Sequence, residues 1–177
     1  MSRPRQFDRD EAMQEALGAF WEHGYSATSV QDLLEEMHLN RGSLYGTFGD
    51  KKKLFLAVLD KYYEQRIAVM REMLEGPGSS KTALRELLDA VARDCTGDEG
   101  RRGCLAAKAA LELAPHDRDV ANWLKRFHRR NIAMIAGVIE RGQKEGDINR
   151  RLEPEAAARF ILNSIGGLRL SGAMSPT

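Results

Sequence analysis

Apolar side chains recur three or four positions apart along most of this sequence, and no segment shows the strict apolar and polar alternation that indicates a β-strand. Because an α-helix completes a turn in about 3.6 residues, this spacing gathers apolar side chains on one side of each helix. Two of the clearest stripes are Met13, Ala16, Leu17, Phe20 and Trp21, and Val120, Trp123, Leu124 and Phe127. The spacing therefore predicts an all-α protein.

Composition narrows the class of protein further. The chain has 177 residues, of which 42% are hydrophobic and 30% are charged, which is enough to build the cores of one or two domains. The formal charge is only +1, so any binding of a polyanion must depend on where the charges lie. No apolar run approaches the roughly 18 residues that a membrane span needs, and the N-terminus resembles no secretion signal. We therefore expect a cytoplasmic protein that does not enter a membrane.

Capping residues divide the first third of the chain into helices. Asp8 is expected to cap the first helix, and Thr28 with Gln31 matches a capping-box pattern for the second. Asn40 is expected to cap a short third helix and Asp50 a longer fourth one. These signals predict two short helices between residues 28 and 48, with longer helices on either side.

The later part of the chain also consists of predicted helices. Residues 104–114 are nearly all apolar, which predicts a helix buried on every side. A long helix is expected from about residue 117 to 144, and Pro154 is well placed in the first turn of a last one.

Two short helices separated by the turn at residues 37–39 have the spacing of a helix-turn-helix, whose second helix enters the DNA major groove. In the second of them, Leu44 and Phe48 are four positions apart and are expected to face the core. Glycine in a helix costs about 0.5–1 kcal/mol relative to alanine, so Gly42 and Gly46 suggest that DNA approaches the helix backbone closely.

The side chains that are expected to face outward on this helix can bind DNA. The Arg41 guanidinium can bind phosphate or guanine, and the Ser43 and Tyr45 hydroxyls can bond to phosphate oxygens. Lys51 follows the Asp50 cap, where the amides at the start of the next helix already favour an anion. Short helices with glycine also occur as plain connectors, and lysine runs also occur as solvated surface.

The stretch FDRDEAMQEALGAFWEHGYSATSVQDLL, followed by NRGSLYGTFGDKKKLF, resembles the N-terminal domain of the tetracycline-repressor (TetR/AcrR) family of transcriptional regulators. The resemblance runs without a gap over about residues 7–60. It implies a three-helix helix-turn-helix DNA-binding domain over residues 1–55 and a helical effector-binding and dimerisation domain over 56–177. The DNA-binding residues that we predict are Thr28, Ser29, Asn40, Arg41, Gly42, Ser43, Tyr45 and Lys51.

Two further features bear on this resemblance. Arg3 and Arg5 lie where a basic arm would reach the minor groove, although an unbound tail fits them equally well. His38 departs from the glycine that the family usually has in the turn. Since histidine tolerates left-handed backbone geometry better than most residues, we expect a strained turn.

The second half resembles the family's regulatory domain more weakly, chiefly through GCLAAKAALELAPHD and the long helix after it. The resemblance implies a homodimer that releases double-stranded operator DNA when a small-molecule effector binds in this domain. The ligand-pocket residues that we predict are Met70, Met73, Cys104, Trp123, Phe127, Met134 and Phe160, all of which also suit an ordinary core. The predicted dimer interface holds Ile161, Ile165, Gly166 and Leu168. By this resemblance, relatives generally have another helix after this one, and if this chain lacks it, part of the usual interface is missing.

Cys104 has a second possible role. It lies at the start of a predicted helix, where amide dipoles favour a thiolate, and the resemblance extends to members that sense electrophiles or oxidants through such a cysteine. A small buried core residue is the simpler interpretation.

Other classes of function find less support. The four histidines show no metal-ligand spacing, and the chain has no nucleophile elbow, phosphate loop or nucleotide fingerprint. We therefore expect no enzyme activity, no metal and no cofactor. A helical adaptor that binds a protein instead of DNA is the remaining alternative.

Overall fold

The computed structural model describes residues 7–96, 100 and 102–174. Within these residues it contains eight α-helices and no strand, so the all-α prediction is confirmed. The helices are α1 Arg9–His23, α2 Val30–Glu36, α3 Arg41–Phe48, α4 Lys51–Glu75, α5 Ser80–Asp94, α6 Leu105–Glu112, α7 Arg118–Glu145 and α8 Pro154–Met174. None of these described helices has the combined length and apolar character that crossing a membrane requires.

The helices form two compact units, one extending to Tyr62 and the other beginning at Tyr63. The division falls within α4. The predicted boundary after residue 55 also lies inside this helix.

Side-chain caps begin the helices of the first unit. Asp8 accepts the Asp10 N–H at 2.8 Å, and Asn40 accepts the Ser43 N–H at 2.8 Å. Asp50 accepts the Lys53 N–H at the start of α4, also at 2.8 Å. Each cap satisfies a backbone amide that the first turn of a helix leaves unpaired, so these three predictions are confirmed.

The cap of α2 differs from the predicted one. Ser29, not Thr28, begins the helix, and it forms a capping box with Asp32 instead of Gln31. Thr28 is buried, and its hydroxyl donates to the Gly24 carbonyl at 2.6 Å. Because that bond ties Thr28 to the end of α1, the next hydroxyl in the chain caps α2.

Aromatic rings make up much of the core of the first unit. Phe20 of α1 meets Phe55 of α4 edge to face, with ring centroids 4.9 Å apart. Trp21 meets Tyr62 in the same way at 5.2 Å. Fully buried aliphatic side chains complete the core of this unit, among them Leu17, Leu33, Leu44, Leu54 and Leu59. This core holds α3 in place through Leu44.

His38 is strained, as predicted. Among the described residues it is the non-glycine residue with a positive φ, at 51°. A non-glycine residue in this left-handed region destabilises the fold by about 1–2 kcal/mol, whereas glycine adopts the region freely.

We expect His38→Gly to raise the free energy of unfolding by up to about 1 kcal/mol in urea denaturation, after the added entropy of the unfolded glycine is subtracted. His38→Ala keeps the Cβ and should give no gain; an equal gain from alanine would contradict the explanation by strain.

In the second unit, α7 packs against α5, α6 and α8. The core side chains include Leu74, Leu84, Leu87, Val91, Ile132, Ile135, Ile139, Ala158 and Ile165. The prediction that residues 104–114 are buried on every side is wrong, because Leu111 of α6 is 82% exposed. Only the side of α6 that carries Leu105, Ala106 and Ala109 is buried.

Arg141 connects three helix ends within this unit. Its Nη2 donates to the Leu74 carbonyl at 2.7 Å, and its Nε donates to the Ser80 hydroxyl at 3.0 Å. The Ser80 hydroxyl donates in turn to Glu145 Oε2 at 3.1 Å. The end of α4 is therefore held to the start of α5 and the end of α7.

Candidate nucleic-acid interface

Helix α3 presents one apolar side to the core and one polar side to solvent. Leu44 and Phe48 are buried, as the spacing predicted. Arg41 and Gly46 lie on the exposed side, and the Tyr45 side chain is 42% exposed. Since α3 is capped by Asn40 and anchored by two core side chains, its outward residues form a rigid surface on the second helix of a helix-turn-helix.

The two glycines of α3 have different surroundings. A Cβ on Gly42 would lie 3.3 Å from Oδ1 of the Asn40 cap, so local crowding explains this glycine in part. A Cβ on Gly46 would meet no described heavy atom within 4 Å. Packing within the described chain therefore gives no reason for glycine at position 46, and close approach of DNA remains our interpretation.

Lys51 begins α4 and is half-buried. Its Nζ lies over the ring of Tyr25, 4.2 Å from the ring centroid. Lys53 is more exposed and pairs with the Asp50 carboxylate at 3.9 Å. The structure thus orients Lys51 through an aromatic ring that the sequence did not associate with it.

The Asp32 carboxylate is the acidic partner in the α2 cap. It accepts the Ser29 backbone N–H at 2.7 Å, and the bonds from Ser29 hold the pKa of Asp32 below its usual value of 3.8. A carboxylate whose pKa is lower in the folded state than in the unfolded state stabilises the fold at pH values above its unfolded pKa. This stability is lost as the pH falls through the folded-state pKa.

We therefore expect the first unit to lose stability below about pH 4, in part through Asp32. Asp32→Asn keeps an acceptor for Ser29 but cannot titrate. Urea midpoints measured at neutral and acid pH should fall less for Asp32→Asn than for the parent chain. An equal fall in both proteins would show that Asp32 does not contribute.

The structure gives the other predicted DNA-binding residues local roles. The Ser29 and Asn40 side chains cap α2 and α3, and the buried Thr28 hydroxyl is bonded to Gly24. Their contacts with DNA stay predictions. Arg3 and Arg5 lie outside the described residues.

The predicted ligand-pocket residues separate into groups. Trp123 and Phe127 stack with ring centroids 5.3 Å apart, and Phe127 meets Tyr63 edge to face at 5.3 Å. The Arg130 guanidinium lies 5.8 Å from the centre of the Tyr63 ring, and burial raises the pKa of the Tyr63 hydroxyl. Met70, Met73 and Met134 pack against the core of the same unit.

Phe160 must be removed from the predicted pocket. Its side chain is 73% exposed on the surface of α8, because the opposite side of that helix holds the core residues Ala158 and Ile165.

Cys104 is half-buried at the N-cap of α6, where its side chain makes no capping hydrogen bond. A sensing role for Cys104 stays a prediction.

A separate cleft in the second unit was not predicted. It is lined by Arg66, Asp94, Cys95, Gly100, Gly103 and Arg169. The lining residues come from three separate parts of the sequence, so no local pattern predicted this cleft.

Among the described residues, no cluster of three or more His, Cys, Asp or Glu side chains is placed to hold a metal ion.

The predicted dimer interface on α8 also needs correction. Ile165 is only 8% exposed and belongs to the core of its own unit, and Ile161 packs against that core. Gly166 is exposed and Leu168 is partly exposed. The exposed residues Ala156, Phe160, Asn163, Gly167, Leu170 and Met174 instead follow one another at alternating steps of four and three. This spacing makes one continuous stripe along the helix, and it could have been recognised in the sequence.

Comparisons with known proteins agree with this geometry. Residues 12–58 match the family described as "Bacterial regulatory proteins, tetR family", and residues 80–174 match "Tetracyclin repressor-like, C-terminal domain". The uncharacterised HTH-type transcriptional regulator YezE of Bacillus subtilis (strain 168) is 33% identical, covering 93% of this chain and 85% of its own length. The HTH-type transcriptional repressor ComR of Escherichia coli (strain K12) is also 33% identical, over 96% of this chain and 81% of its own.

Among solved structures, a cysteine mutant of the tetR-family regulator CifR in complex with 26-base-pair operator DNA superposes with a TM-score of 0.88. It is 34% identical and covers 98% of this chain and 92% of its own.

Proposed function

This chain belongs to the tetR family of bacterial regulatory proteins and is a DNA-binding transcriptional regulator, and from this premise we propose that it is a repressor that reads its operator through α3. The observation that carries the proposal is the outward side of α3. Arg41 supplies charge and hydrogen-bond donors, Tyr45 supplies a hydroxyl, and Gly46 leaves room for a groove wall. We place this activity in the cytoplasm, without catalysis.

A homodimer suits this function because two α3 helices about 34 Å apart would read a palindrome across successive major grooves. The exposed stripe on α8 supports a specific surface for the dimer. Phe160, Leu170 and Met174 would meet the same residues of the second protomer, and Gly167 would let the two helices approach closely.

Release by an effector follows as a shift between two populations. A small molecule that binds the second unit more tightly in one dimer geometry moves the dimer toward that geometry. If that geometry no longer matches two successive major grooves, the operator is released. Trp123 and Phe127 are predicted pocket residues that lie together in the second unit, with the Tyr63 ring beside them, and this cluster supports an effector with apolar or aromatic character.

The test is a fluorescence-anisotropy titration of the purified protein against the duplex upstream of its own gene and a scrambled duplex, at several salt concentrations. We expect tight binding to the upstream duplex that weakens steeply with salt, because phosphate contacts release counterions. Equal and weak binding to duplexes from across the genome would contradict the proposal. A folded protein that behaves in this way would support the helical adaptor instead.

A further inference from the structure

Tyr25 and Lys51 are 26 positions apart in the sequence, yet the structure places the Lys51 ammonium 4.2 Å from the centre of the Tyr25 ring. We propose that Tyr25 is a positioning residue that holds Lys51 ready to bind a DNA phosphate. The inference rests on the proposed function, in which Lys51 contacts the DNA backbone. It adds a residue that was not among the predicted DNA contacts.

The Tyr25 ring is itself held in place. It stacks on Phe20 with ring centroids 6.1 Å apart and an angle of 15° between the rings, and it lies 5.0 Å from the ring of Phe55. Phe20 and Phe55 are both buried in the core of the first unit. The ring therefore connects the core to the ammonium group at the surface.

The contact leaves Lys51 able to bind an anion. A cation is attracted to the face of an aromatic ring by its charge, so the attraction does not depend on any one N–H bond. An ammonium group has three N–H donors, so contact with a ring face does not remove its capacity to donate to a phosphate oxygen. Lys51 also lies within electrostatic reach of the Asp32 carboxylate in the α2 cap, which favours the same placement.

Positioning matters because a lysine side chain is long and flexible. Four rotatable bonds must be ordered when an exposed lysine binds phosphate, and this ordering opposes binding. If the ring already orders the Lys51 side chain in the free protein, less side-chain entropy is lost when DNA binds. Removing the ring should then weaken DNA binding through its effect on Lys51.

The test is a double-mutant cycle read by operator affinity, with Tyr25→Leu, Tyr25→Phe, Lys51→Ala and Tyr25→Leu/Lys51→Ala. We expect Tyr25→Leu to weaken binding about twofold to fivefold for each half-site, the range that a cation on a ring face supports. Tyr25→Phe keeps the ring face and should bind like the parent. In the Lys51→Ala background, Tyr25→Leu should cause no further loss, because the group that it positions is gone.

Salt dependence separates positioning from simple packing. Lys51→Ala should reduce the slope of log affinity against log salt by about 1 for each half-site. Tyr62→Leu is the matched control, since it removes another tyrosine ring from the core of the same unit. Tyr62→Leu should lower thermal stability and leave the salt slope unchanged. Any loss of operator affinity that it causes should add to the loss caused by Lys51→Ala.

Four results would overturn the inference. Losses from Tyr25→Leu and Lys51→Ala that simply add would show that Tyr25 acts through packing alone. Tighter binding by Tyr25→Leu would show that the ring competes with phosphate. If Lys51→Ala binds like the parent, the phosphate contact is wrong, while tight operator binding by the parent would still support the proposed function. A parent protein that ignores its operator would overturn that function as well.

Discussion

Gly46→Ala is expected to make the folded protein more stable and a weaker DNA binder at the same time. A Cβ at position 46 meets no described atom within 4 Å, so alanine fits without moving the protein. Replacing glycine inside a helix with alanine stabilises it by about 0.5–1 kcal/mol. If DNA packs against the backbone of α3 at this position, the added methyl group collides with the groove wall, and operator affinity should fall about tenfold or more.

The two effects are measured separately, by urea unfolding of the free protein and by anisotropy with operator DNA. Gly18→Ala is the matched control, because Gly18 lies within α1 of the same unit and also has no described atom within 4 Å of its Cβ position. We expect Gly18→Ala to give a similar gain in stability and to bind operator like the parent. Unchanged operator binding by Gly46→Ala would remove Gly46 from the interface.

Leu170→Glu is expected to separate the dimer. Leu170 is 60% exposed in the stripe on α8, and a two-fold interface over this stripe would bury the new carboxylate of each protomer against apolar side chains. A monomer engages one half-site at a time and loses the gain from simultaneous binding, which is typically a factor of about 10²–10⁴. Operator affinity should therefore fall at least about a hundredfold.

Light scattering after size exclusion measures the mass directly, and circular dichroism checks that the variant remains folded. Leu111→Glu is the control, because Leu111 is an exposed leucine on α6 and does not belong to the α8 stripe. That variant should remain dimeric and bind operator normally. If Leu170→Glu stays dimeric while folded, the α8 stripe is not the dimer interface.

Helix starts and the orientation of α3 could be predicted from the sequence because they depend on residues close together in the chain. The caps at Asp8, Asn40 and Asp50 each bond to an amide two or three positions later. Leu44 and Phe48 lie on one side of α3 because they are four residues apart. The outward side of α3 follows from the same local geometry.

Some errors came from contacts that local patterns do not contain. Thr28 was expected to cap α2, but its bond to Gly24 connects it to the preceding helix. Phe160 and Leu111 are apolar and were expected inside, although each lies on the exposed side of its helix. Hydrophobicity alone does not say which of two apolar sides of a helix the rest of the protein covers.

By itself, the sequence determined the helical class, most helix starts and the outward side of α3, because backbone hydrogen bonds and the period of the helix act over a few residues. Only the tertiary structure decided that Ile165 belongs to the core, that Phe160 and Leu170 lie on the exposed side of α8, and that the Lys51 ammonium lies over the Tyr25 ring. Each of these depends on how separate helices pack, where burial of apolar surface selects one arrangement among several that the local patterns allow.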